Sequence, residues 1–223
     1  MIVGRPESVP EPEPPPEPTD GEGERAEPIP AWEYGFHFRS GSLALDLVAT
    51  VGERWRRSFE RLRTPGDLAR WYRACGLVTR LLDVSDADLA SVRHLREAIH
   101  RLAVAAMAGR AGAPDDVATL NERARQGHRV PHLRRIGHAP VPPPASAAEC
   151  EGVVALAAID LLGNAPQRIR GCDAHDCGII FVDRSRPGTR RWCAMRGCGD
   201  KAKSATYRRR ATTAPAPGGR GPG

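Results

Sequence analysis

Four cysteines, Cys172, Cys177, Cys193 and Cys198, fall into two pairs with the same four-residue gap, separated by fifteen residues. Two short loops joined by a longer excursion bring four thiolates around one ion without strain, at zinc–sulfur bonds of about 2.3 Å. The usual gap within a pair is two residues; the repetition of the wider gap restores the specificity that its length takes away. Free buried thiols, two disulfides or an iron–sulfur cluster are the competing readings, and the paired, polar, arginine-rich setting weighs against each. Four thiolates also fill the tetrahedron and leave no open position for water. The expected metal is therefore structural zinc, held by these four residues, and not a catalytic ion.

The chain has 223 residues and is 40% hydrophobic, which provides for one core and an appendage. Met1 to Val3 run directly into Gly4, Arg5 and a proline–glutamate tract, with no apolar stretch of signal or membrane-spanning length. Cys75 and Cys150 lie in apolar helical patterns, so cysteine usage fits a reducing, cytoplasmic compartment without membrane partners. The net charge of +6 hides an asymmetry: residues 1–30 carry eight acidic against two basic side chains, a balance of −6. Residues 168–210 carry twelve basic against four acidic, a balance of +8.

Residues 1–30 are proline, glutamate and glycine with little to bury, which predicts a disordered acidic tail. Residues 211–223, rich in proline and glycine, are expected to be disordered as well. Between the tails, Leu43, Leu45 and Leu47 alternate, a pattern that leaves strand and helix open. Thr64, Pro65 and Asp67 form a helix-start signature ahead of Leu68, Trp71, Tyr72 and Cys75, with Gly76 as the stop. Ser85 and Asp88 repeat the capping pattern before Leu89, Val92, Leu95, Ile99 and Leu102, a long amphipathic helix running to Gly109. A third helix starts at Pro114 with Val117 and Leu120, and a fourth, Ala147 to Leu162, packs Cys150, Val153, Val154, Ala157 and Leu161.

This mainly helical region contains no phosphate-binding glycine loop, nucleophile elbow or carboxylate cluster on one helix face, so the sequence names no catalyst and no enzyme is expected. Trp32, Trp55 and Trp71 read as core anchors in preference to a ligand pocket. His94 and His100 are not at metal-ligand spacing, and His128, His132 and His138 read as solvated surface.

Within the cysteine module, residues 178–183 and 190–193 read as two short strands joined by the turn-rich 184–189 segment, with the first cysteine pair ahead of this hairpin. Residues 198–210 have helical propensity. The run Cys172-x4-Cys177-x3-Phe181-x-Asp183-Arg184-Ser185, then Arg190-Arg191-Trp192-Cys193-x-Met195, Cys198-Gly199-Asp200-Lys201-x-Lys203 and Tyr207-Arg208-x-Arg210, resembles the C-terminal CGNR zinc finger. Upstream, Leu43-Ala44-Leu45-Asp46-Leu47-Val48 and the segment from Leu62 to Trp71 resemble the ABATE domain that precedes that finger. The resemblance covers residues 36–210. It implies a bacterial stress-related transcription regulator with zinc on the four cysteines and DNA on the finger. The chain departs from the naming motif, with Asp200 and Lys201 in place of Asn and Arg. Aspartate loses two amide donors and lysine lacks the bidentate fork, which weakens base readout there. Ala49 also precedes Thr50 where the family commonly has Asn.

The fold expected is a mainly helical domain with minor β structure, residues 31–165, followed by a treble-clef-like ββα zinc finger, residues 166–210. Arg184, Arg186, Arg190, Arg191, Lys201, Lys203, Arg208 and Arg210 are the candidate nucleic-acid contacts. On a helical wheel Lys201, Ser204 and Arg208 share a face while Lys203 and Arg210 point away, so the charge forms a collar and favours backbone attraction over a single recognition stripe. RNA or an acidic protein could take the same charge. A structural finger for protein interaction, or a thiol redox switch that releases zinc on oxidation, is the alternative. A small effector on the upstream domain has no residue signature.

Overall fold

The computed structural model describes residues 35–127, 136–137 and 143–204. The tails, Trp32, His128, His132, His138, Arg208 and Arg210 lie outside the described residues. Helix α1 spans Leu43–Val48, and a two-residue hairpin follows, β1 Val51–Gly52 against β2 Phe59–Glu60. Helices α2 Pro65–Ala74, α3 Asp86–Met107, α4 Pro114–Gln126 and α5 Ala147–Asn164 build the body. A single turn at Pro166–Arg168 then leads into β3 Ile169–Gly171 and β4 Ile180–Val182.

Each helix that the sequence marked begins where its local chemistry directs. Thr64 and Asp67, and again Ser85 and Asp88, form complete capping boxes in which side chain and backbone exchange hydrogen bonds. Pro114 occupies the first turn of α4, and the Ser146 side chain caps α5 through the Glu149 N–H. The ambiguous leucine segment is helical. Ser40 settles its start, because its N–H and hydroxyl both donate to Asp46 Oδ1, at 3.1 and 2.7 Å. Helix α3 runs through the centre, burying Leu89, Val92, Leu95, Ile99 and Leu102 against α1, α4 and α5. Trp71 is a fully buried core anchor as expected, whereas Val117 on α4 is exposed.

Strands β3 and β4 pair antiparallel, with Ile169 opposite Val182 and Gly171 opposite Ile180. Ile169, Ile180 and Val182 are buried in the same hydrophobic cluster as the helices. The free edge of β4 is used as well: the Val182 N–H donates to the Ser40 carbonyl at 2.7 Å. Ser40 thus ties α1 and β4 together, and the second hairpin stands on the helical body.

Candidate metal centre and nucleic-acid interface

The hairpin differs from the one read in the sequence. Its strands are β3 and β4, so Cys172 and Cys177 occupy the loop between them, and residues 190–193 form no strand. The side chain of Asp183 explains the difference. Fully buried, it accepts from the Ser185 N–H at 2.9 Å and the Arg190 N–H at 2.8 Å, closing residues 184–189 into a loop where a strand turn was expected. The returning chain is held to the first loop by the Asp173 N–H donating to the Arg191 carbonyl at 2.9 Å. Met195–Gly199 then forms a kinked turn, broken at Arg196 and at Gly197 with φ of 96°, before residues 200–204 continue as helix. The positive φ at Gly197 is a conformation glycine adopts without steric cost, and it presents Cys198 to the other three cysteines.

The four Sγ atoms converge to within 4.8 Å of one another. Cys177 to Cys193 and Cys193 to Cys198 are both 3.7 Å, far beyond a disulfide bond. A regular tetrahedron with zinc–thiolate bonds of about 2.3 Å has sulfur–sulfur edges of about 3.8 Å, so the donor set fits zinc in kind, number and spacing. Crowding sulfurs without a cation is unfavourable. Hydrogen bonding to Cys172 and Cys177, and then burial, drives the Cys193 thiol far above its usual range. Bonds from Cys177 and Cys193 hold the Cys172 thiol far below it. A divalent ion eases that conflict by coordinating all four sulfurs and offsetting two of their four negative charges.

The basic side chains divide into two groups. Arg190 is spent inside the module: its guanidinium lies 5.1 Å over the Phe181 ring and donates to the Trp192 carbonyl at 2.7 Å and to the Cys193 carbonyl. Arg184 donates to the Gly41 carbonyl at 2.6 Å, Arg191 pairs with Asp173 at 2.7 Å and Lys201 with Asp176 at 2.6 Å. These last three remain exposed, and the two exposed ion pairs exchange partners at small cost. Arg186, Arg196 and Lys203 are exposed and make no ion pair among the described residues. The charge was readable from the sequence; its allocation was not, because partners such as Gly41 lie far away along the chain.

Sequence reasoning also misplaced Trp55. It is 52% exposed and sits against the cysteine loop, with its ring 5.9 Å from that of His175 in an edge arrangement. Its flanking arginines at 54, 56 and 57 were the signal that this tryptophan is not a core residue. Thr50, next to Ala49, is buried, and its Oγ1 accepts from Arg96, which also forms a two-pronged pair with Glu60 at 2.7 Å on each prong.

Among the described residues no helix is long and apolar enough to cross a membrane. No curated protein matches the chain. Residues 168–211 match the CGNR zinc finger, and with its four-cysteine cluster the metal of this module is zinc. Residues 41–165 match ABATE, described as "Putative stress-induced transcription regulator". With that match spanning more than half of its length, the chain belongs to the ABATE transcription-regulator family and carries a CGNR zinc finger at its C-terminal side.

Proposed function

We propose that this protein is a zinc-dependent DNA-binding regulator in which Cys172, Cys177, Cys193 and Cys198 hold the ion. Arg186, Lys201 and Lys203, together with Arg184, Arg191, Arg208 and Arg210, attract DNA phosphates. The observation that carries the reading is a four-sulfur centre surrounded by exposed basic groups, three of them unpaired among the described residues. Zinc shapes the loops and does no chemistry on the ligand. Arg190 contributes by bracing those loops. With Asp200 and Lys201 in the motif, the contacts favour phosphate over base edges.

The helical body is the candidate sensor. A mainly apolar cleft of about 610 Å³, lined by Leu102, Val117, Leu120, Ile159 and Leu162, reaches Pro166 and Gln167 at the foot of β3. An effector bound there would act on the strand that leads into the finger.

A salt titration of zinc-loaded protein with labelled duplex DNA tests the reading, repeated with Lys201, Arg208 and Arg210 changed to alanine. Salt-sensitive binding whose slope falls in the variant supports phosphate contact by these residues. Absence of binding at low salt favours the second reading, a structural module for protein contact. The burial of Ile169, Ile180 and Val182 in the body's own core supports that alternative.

A further inference from the structure

The turn between β1 and β2 is a second point where the helical body reaches the metal module. Its residues are Glu53, Arg54, Trp55, Arg56, Arg57 and Ser58, and both ends have positive φ, 43° at Glu53 and 45° at Ser58. Side-chain-bearing residues hold that conformation only where their surroundings enforce it. Here the enforcement is explicit. Arg57 bonds both carboxylate oxygens of Glu53 at 2.7 and 2.8 Å, and Arg54 bonds both of Glu97 at 2.6 and 3.0 Å. The Arg56 and Ser58 N–H groups both donate to the Glu53 carbonyl.

The braced tip holds Trp55 half exposed against His175 and Gly178 of the cysteine loop. A Cβ on Gly178 would come within 3.2 Å of the indole, so glycine is what lets the ring seat there. The charges around it are unbalanced. Glu53 is neutralised by Arg57 and Asp176 by Lys201, while Arg56 is exposed and makes no ion pair among the described residues. The exposed Arg39 lines the adjoining cleft of about 200 Å³ between the turn and the cysteine loop, along with Lys201.

We infer that this turn is a second nucleic-acid contact, in which the Trp55 ring stacks on an unpaired base of single-stranded DNA while Arg56 and Arg39 meet its phosphates. A half-exposed indole next in the chain to the exposed Arg56 suits a base that offers its own π-face; in a duplex those faces are already stacked. The inference rests on the DNA-binding reading of the finger and adds the strand state that the whole protein prefers. It also gives the helical body a direct part in binding.

The test uses full-length, zinc-loaded protein with a labelled single-stranded oligonucleotide and the matching duplex, read by anisotropy. Trp55→Ala is expected to weaken single-strand binding by about tenfold or more, leave duplex binding within about twofold, and recover most of the loss as Trp55→Phe. Arg56→Ala is expected to lower the salt slope on the single strand by about 0.7, and it carries the test together with Trp55→Phe if Trp55→Ala loses zinc. Equal single-strand affinity in wild type, Trp55→Ala and Arg56→Ala overturns the inference. If Lys201→Ala with Lys203→Ala still weakens duplex binding in that case, the finger reading survives alone. Wild-type protein that binds neither form ends both.

Discussion

The two hydrophobic clusters differ in what they need to exist. The larger gathers residues from helices α1 to α5, among them Leu47, Trp71, Leu95, Ile99 and Val154, all nearly or fully buried. Burial at about 25 cal/mol per Å² is enough to order such a body. The smaller has only Phe181, Cys193 and Cys198 fully inside, with Cys172, Cys177, Ile179 and Trp192 packed around them. That is too little apolar surface to overcome the chain entropy of its loops, so the metal must supply the difference. A single strand serves both. In β4, Ile180 and Val182 point into the helical cluster and Phe181 into the sulfur cluster, as the two-residue alternation of a strand requires. One region is held by area and the other by coordination, and the boundary between them runs through three consecutive residues.

Removing a ligand should give the largest effect. Cys198→Ser is expected to abolish zinc retention and forfeit stabilisation on the order of 10 kcal/mol from the module, with amide protection lost from residues 184–204. Helices α2, α3 and α5 should keep theirs, and so should β3 and β4, because their apolar side chains belong to the body. Zinc content and hydrogen exchange read this directly, and unchanged zinc content would refute the ligand set.

Neighbouring positions on β4 sharpen the contrast. Phe181→Ala should cost about 3–5 kcal/mol, seen as weaker zinc binding with the thermal midpoint of the body little changed. Ile180→Ala should cost about 2–5 kcal/mol, seen in the melting of the body with zinc retained. If both substitutions moved both readouts equally, the two clusters would be one cooperative unit.

A smaller effect comes from the turn that bridges the regions. Burial pushes the Glu97 carboxyl up, but the bonds from Arg54 and Arg96 outweigh it and bring it from the usual 4.5 down to about 2. A carboxyl with a depressed folded pKa stabilises the fold above its unfolded value, and that contribution is lost as pH falls from about 4.5 to about 2. Discounted for partial exposure, it amounts to about 2 kcal/mol at most. Arg54→Gln should therefore flatten the decline in the thermal midpoint across that window; an identical decline in both proteins would exclude this pair as its source.

Legibility in the sequence followed the range of the interaction. The helix starts at Thr64 and Ser85 were readable because a cap is settled within four residues, and the one at Pro114 because proline suits the first helical turn. The four-sulfur centre was readable for a related reason: loop closure leaves its record in spacing. Strand β3 was not, since Ile169, Arg170 and Gly171 show no alternation and become a strand only through pairing with β4. Residues 190–193 had the composition of a strand, yet the Asp183 carboxylate claims the Arg190 N–H and turns the chain. The leucines of α1 fit two periods over a span too short to choose between them, and Ser40 with Asp46 makes the choice. Trp55 shows the same limit, because nothing near it in the sequence reveals that residues 175 and 178 lie alongside.

The alternation along β4 also restricts how chain length can change across this family of shapes. An insertion or deletion of one residue in β4 would exchange its two faces, sending Phe181 toward the helices and the aliphatic pair toward the sulfurs. A change in length between Cys177 and Cys193 should therefore be tolerated only in the loop that Asp183 closes, where Pro187 and Gly188 already form a bend. Relatives with longer or shorter fingers should differ there, with the distance from Cys177 to the strand kept fixed.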